Sequence, residues 1–118
     1  MSTKRKNFGD WGEDQACGFL ERYGFCIIDR NIHAPVGEID IVAQKAGDWY
    51  FIEVKTRRKG DLANDLAITK SKKHKMDKMV GWYCYKKGII EGSQIVAGLL
   101  VVVDKLDSRV NFRLAIFY

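Results

Sequence analysis

Glu38, Asp40, Glu53 and Lys55 are the residues whose types and spacing could do chemistry. They lie in two short segments, 36–43 (Val-Gly-Glu-Ile-Asp-Ile-Val-Ala) and 49–56 (Trp-Tyr-Phe-Ile-Glu-Val-Lys-Thr), separated by the turn-like Ala46-Gly47-Asp48. Both segments are rich in β-branched and aromatic residues, which predicts a β-hairpin. Side chains alternate along a strand, so Glu38 shares a face with Asp40, and Glu53 with Lys55. A loop of residues 46–47 or 45–48 pairs positions whose numbers sum to 93, setting Asp40 opposite Glu53 and Glu38 opposite Lys55. A three-residue loop would shift the register and part the acids, and Ala46 suits poorly the positive φ of a type I′ turn.

Like charges directly across a hairpin destabilise it by a few tenths to about 1 kcal/mol, so a strand pair built for stability alone has little reason to place them there. A divalent cation removes the objection. Mg²⁺, or Mn²⁺ in its place, takes hard oxygen ligands, typically one or two carboxylates with waters and phosphate oxygens. Asp40 and Glu53 supply that carboxylate set, and Lys55 beside them could hold a phosphate or help deprotonate an attacking water. The competing reading is a solvated strand face with a Glu38–Lys55 ion pair.

The charge balance names a partner. The chain has 118 residues, a net charge of +5 and a pI near 9.2, which points to an acidic partner such as a phosphate backbone. Between Arg57 and Lys87 there are ten Lys/Arg against three acids, an excess of seven, so the remainder is slightly acidic. Arg57, Arg58 and Lys59 open a polar stretch reaching Ala67, expected to be a mobile loop whose guanidinium groups match phosphate oxygens. Lys70, Lys73, Lys75 and Lys78 are expected to face outward from the following helix and to meet phosphates without reading bases.

The elements that must position these groups are legible in the patterning. Residues 1–8 are expected to form a flexible basic arm, and 9–118 a single domain. A first helix should start at Asp10, an N-cap with Glu13 completing a capping box, and stop at Gly24. Its apolar stripe is Ala16, Phe19, Leu20 and Tyr23; Glu13 extends that stripe one turn further. Residues 25–31 read as a strand, with 32–35 as connection; Gly37 suggests close backbone approach to something, a substrate phosphate being one candidate. His33 could act as a base, but its place before Pro35 favours an exposed structural role. A second helix should run from the cap Thr69 to Lys86 or Lys87, with Gly88 as stop. Its core stripe is Met76, Met79, Val80 and Tyr83, and Lys72 continues it toward the site. Residues 95–104, apolar on both faces, and 109–117 complete the chain as strands joined by Lys105-Leu106-Asp107-Ser108.

These residues, taken in order, resemble a known pattern. Asp40 followed by Glu53-Val54-Lys55 on the adjoining strand is the arrangement of PD-(D/E)xK nucleases, and the chain is similar to the YraN family of small bacterial proteins. The likeness also covers Gly12-Glu13-Asp14, Asp29-Arg30-Asn31, Ile68-Thr69 with Lys72, and Ala115-Ile116-Phe117. One departure is Ile39 where the motif name has proline. The resemblance implies an α/β fold of the restriction-endonuclease and Holliday-junction-resolvase kind, a mixed β-sheet flanked by helices in the order α-β-β-β-α-β-β. It implies a Mg²⁺- or Mn²⁺-dependent endonuclease acting on DNA, with branched or otherwise structured DNA as the expected form. Asp40 and Glu53 would hold the metal, Lys55 would serve the water or the developing charge, and Glu13, Glu38 and Lys72 would assist. The alternatives are a non-catalytic nucleic-acid-binding module on the same fold and, behind it, a protein–protein adaptor.

Other classes are disfavoured. The longest apolar run, Ile95 to Val103, is nine residues, against about 20 for a membrane span, and no secretory signal is evident. Cys17, Cys26 and Cys84 have neither CxxC nor Cys/His spacing, which favours reduced thiols in the cytoplasm over zinc. The apolar last strand offers an edge through which two copies could pair as a homodimer.

Overall fold

The computed structural model describes residues 3–59, 69–89 and 96–116, with side chains from Asn7 onward. Its elements are α1 (Thr3–Arg22), β1 (Cys26–Ala34), β2 (Gly37–Lys45), β3 (Asp48–Arg58), α2 (Lys70–Lys87), β4 (Val96–Lys105) and β5 (Val110–Ile116), in the expected order. The five strands form one sheet in sequential order. Only β3 and β4 run parallel; α2 makes the crossover between them, as a parallel pair requires.

The sheet is covered on both faces. Trp49 and Phe51 of β3 pack under α2, with Met76, Met79, Val80 and Tyr83. Tyr50, Ile52 and Val54, of opposite parity, pack under α1 with Ala16, Cys17 and Leu20. The two-residue periodicity of β3 therefore becomes two separate cores, and β4, buried from Gly98 to Val103, runs between them.

The β2–β3 register is the one expected from the sequence. Pairs run from Lys45↔Asp48 to Ile41↔Ile52, every sum being 93. Ala46 and Gly47 take positive φ, 52° and 84°. An alanine there costs roughly 1–2 kcal/mol, yet a one-residue slip would turn every apolar side chain of the strand onto the wrong face.

Two expectations need correction. The helix begins at Thr3 and not at Asp10, so most of the segment read as a flexible arm is helical, and Asp10 lies inside α1, where it caps nothing. The strong cap signal at Asp10 misplaced the start. Gly37, at φ 151°, is close to Met79, whose Cγ would lie 3.1 Å from an added Cβ, so the close approach within the fold is to α2. β1 also runs on to Ala34, leaving only Pro35-Val36 as its turn into β2. Gly88 stops α2 as expected, in the left-handed conformation.

Gly12 seats α1 on β3. A Cβ there would lie 1.8 Å from Thr56 Oγ1 and 2.7 Å from Thr56 Cβ, so no Thr56 rotamer relieves the clash. Alanine would gain about 1 kcal/mol in helix propensity, but overpacking typically costs about 1–3 kcal/mol, and here it lifts the whole helix. Gly12→Ala is expected to destabilise the protein by roughly 1–2 kcal/mol net, read as a lower urea midpoint with little change in slope.

Candidate active site

Asp40 lies where β2 leaves β3. Ile41 and Ala43 pack under α1, whereas Ile39 and Val42 pack under α2, so the simple alternation breaks at Asp40. The β2–β3 pairing also ends at Ile41↔Ile52. Beyond that point the Val54 N–H donates to Asp40 Oδ2 at 2.8 Å, the side chain taking the place of a ladder partner.

Glu53 and Lys72 complete the centre of a cleft of about 590 Å³ between the sheet and the start of α2. Asp40, Glu53, Glu38, His33, Lys72 and Lys75 all contribute to its wall. Glu53 is on the α2 face of β3 and meets Lys72 Nζ at 2.5 Å. Its side chain is 14% exposed and that of Lys72 46%, so the acid is held in the wall and the lysine reaches it from solvent. Thr69 caps α2 by accepting from the Lys72 N–H at 3.1 Å. The first turn of α2 carries no acid, so its positive end faces the cleft uncancelled.

Burial and the neighbouring Glu53 charge push the Asp40 carboxyl up from 3.8 to about 7, against the opposing Val54 N–H bond; Glu13 adds to the rise and Lys72 reduces it. Glu13 is raised by burial, with Arg30, 3.7 Å away, pulling the other way. Among the described residues its Oε1 is buried and accepts no hydrogen bond. The site therefore holds one buried acid, Asp40, raised by the charges of two others, and beside it a Glu13 oxygen without a hydrogen bond. That is what a divalent cation would relieve. No three acidic, histidine or cysteine side chains among the described residues gather closely enough to hold an ion by themselves. Two carboxylates suffice for Mg²⁺, which keeps waters and takes substrate oxygens, so Asp40 and Glu53 fit the ion.

Other expected participants are placed differently. Glu38 does not meet Lys55; it pairs across the β1–β2 hairpin with His33, Oε2 to Nδ1 3.1 Å, and both are exposed. The parallel strand β4 is Lys55's neighbour, and Lys55 is half-buried and outside the cleft wall. It is Lys72, from α2, whose amine reaches the acids. Lys75, expected to point outward, lines the cleft as well.

The basic cluster after β3 is corrected most. Arg57 is still strand and 7% exposed, with Nε 3.8 Å from Asp104 Oδ1, so it is an interior cation and cannot grip a phosphate backbone. Arg58 lies over the Phe8 ring at 3.8 Å and Lys59 pairs with Asp107 at 2.7 Å; both are exposed. The expected loop beyond Lys59, through Ala67, lies outside the described residues. Lys70 and Lys73 are exposed on the first turn of α2. Sequence reasoning missed Arg30, which donates to Asp14 at 2.8 Å and steadies Glu13. Its signal was its place in Asp29-Arg30-Asn31, one of the segments that carry the family likeness.

A family model described as "Uncharacterised protein family UPF0102" matches residues 12–109. A UPF0102 protein of Desulfosudis oleivorans is 39% identical over 89 residues, 75% of this chain and 72% of that one. One of Helicobacter pylori strain J99 is 42% identical over 87 residues, 74% and 75% of the two chains. One of Syntrophotalea carbinolica is 55% identical over 58 residues, 49% of this chain and 47% of the relative. No helix among the described residues is long and apolar enough to cross a membrane.

Proposed function

This chain belongs to the UPF0102 family, and from that premise we propose that it is a Mg²⁺- or Mn²⁺-dependent endonuclease hydrolysing phosphodiester bonds in DNA, with branched or otherwise structured DNA as the expected substrate. The observation that carries the reading is the buried Asp40 beside Glu53 in a cleft whose wall also carries Lys72 and Lys75. Asp40 and Glu53 are the metal ligands. The ion, when bound, supplies Lewis-acid stabilisation and a more acidic water.

The chain's own groups do the rest. Val54 N–H holds Asp40 Oδ2 in place. Lys72 and Lys75, with the α2 N-terminus, attract and orient the phosphate, and positioning plus electrostatics is most of what such a reaction asks of a protein. Glu13, steadied by Arg30, stands outside the cleft wall and acts on the site through its charge on Asp40. Lys55 has the weaker claim to a catalytic part, since it stands outside the cleft wall.

Cleavage of branched or nicked DNA by wild type with Mg²⁺ or Mn²⁺, abolished in Asp40→Ala with binding retained, supports the assignment. Binding without cleavage by any form favours the second reading, a nucleic-acid-binding module. One observation speaks for that reading: Glu53 is already satisfied by Lys72. The same pair makes a separate prediction. A half-exposed ion pair is worth about 1 kcal/mol or less, so Lys72→Met should tighten Mn²⁺ binding by about three- to fivefold while weakening DNA binding. Calorimetric titration with Mn²⁺ and fluorescence anisotropy with DNA check the two halves.

A further inference from the structure

The cleft is one end of a longer feature. His33 and Ala34 of β1 face the first turns of α2 there. A second cleft, of about 310 Å³, lies between the same two elements further along, walled by Asp29 and Ile32 of β1 and by Trp82, Tyr83, Lys86 and Lys87 of α2. β1 is one of the sheet's two edge strands and runs opposite to α2, so both clefts belong to one seam. Along that flank of the helix Lys75, Lys78, Trp82 and Lys86 follow at spacings of three, four and four, which places them in one row.

We propose that this seam is a track for a single-stranded DNA segment leading away from the catalytic cleft, with an unpaired base stacked on Trp82. The proposal rests on the reading of the protein as one that handles DNA and adds the form of DNA it takes. Lys75 to Lys86 spans about 16 Å of helix at 1.5 Å per residue, enough for roughly four nucleotides, the lower end of the site sizes of single-strand-binding folds. The row is lysine throughout apart from Trp82, and Lys78 and Lys86 are exposed. Asp29 is the acid on the β1 side of the far cleft, so a phosphate backbone is favoured along α2 and the bases toward β1.

The aromatic end is what turns a basic row into a site. Trp82 is only half-buried, and Tyr85, three residues on and so its neighbour on the helix surface, is 86% exposed. Lys86 Nζ lies over the Trp82 ring, 5.7 Å from its centroid, a cation–π contact that a stacked base would replace, freeing the flexible ammonium for the adjoining phosphate. Tyr83 Oη, buried at the same cleft, has no hydrogen-bond partner among the described residues. Bases in a duplex are stacked and paired and cannot reach Trp82, whereas an unpaired base has a free face.

The test is fluorescence anisotropy with a fluorescein-labelled 12-nucleotide oligo-dT and the same strand annealed to its complement, in EDTA, so that cleavage plays no part. Wild type should prefer the single strand. Trp82→Ala should weaken it about tenfold or more, Trp82→Phe should keep most of the affinity, and duplex binding should change little. Lys78→Gln with Lys86→Gln should reduce the slope of log K against log salt by about 1.4, at about 0.7 per single-strand phosphate. Unchanged single-strand affinity in folded Trp82→Ala, or equal losses for both DNA forms, overturns the track. Should Trp82→Ala not fold, the exposed lysine pair decides: an unaltered salt slope overturns it. Wild type that binds as described but never cuts DNA would remove the nuclease assignment and leave the track standing.

Discussion

Asp40→Asn is expected to leave DNA bound and uncut while making the metal-free protein more stable. The amide oxygen can still accept from the Val54 N–H, so the local geometry survives. What is lost is the charge that would hold the ion, and with it transition-state stabilisation worth about 10³-fold or more in turnover. What is gained is relief from burying a carboxylate beside Glu53, the two main causes of the raised Asp40 proton affinity. Opposite signs in activity and stability are the mark of a site held together against its own repulsion. Single-turnover cleavage and thermal melts in EDTA above pH 7, run on the same preparations, measure both. A variant that loses activity and stability together would make Asp40 a structural residue.

The metal-free protein is also expected to lose stability as pH rises from about 4 to 7, the reverse of the usual carboxylate behaviour. In the folded chain Asp40 holds its proton to about 7, against 3.8 ordinarily. Between those values the folded state binds more protons than the unfolded one, so folding is favoured at the acid end and the advantage disappears as pH passes through 7. A shift of that size corresponds to on the order of 4 kcal/mol. Other carboxylates titrate in the same interval, so the Asp40 part is the difference between wild type and Asp40→Asn. Mg²⁺ or Mn²⁺ at pH 7.5 should restore much of the loss in wild type and little in the variant, since a ligand stabilises only the state that binds it. Urea midpoints at pH 5 and 7.5, with and without the ion, give all four corners.

Much of the scaffold was legible because it is written at short range. Period-two apolarity in β3, period-3.6 apolarity in α2, the Thr69 and Gly88 ends of that helix and the Ala46-Gly47 turn are local signals, and each element formed where they point. The hairpin register followed from loop length alone, and with it the neighbourhood of Asp40 and Glu53. The start of α1 did not follow, because Asp10 and Glu13 look the same to a local reading whether they begin a helix or lie within one.

What sequence alone determined, then, is the set of elements, the strand register and the meeting of two acids, all consequences of which side chains must leave water. Only the tertiary structure decided which cation serves them. Lys55 and Lys72 have the same charge, but an alternating strand carries Lys55 along β3 and out of the cleft, while the docking of α2 brings Lys72 onto Glu53. Arg57 went to the interior, beside Asp104, for the same reason: its strand continued two residues further than its polarity suggested. A side chain's partners depend on how separate elements pack, and no spacing within one element contains that information.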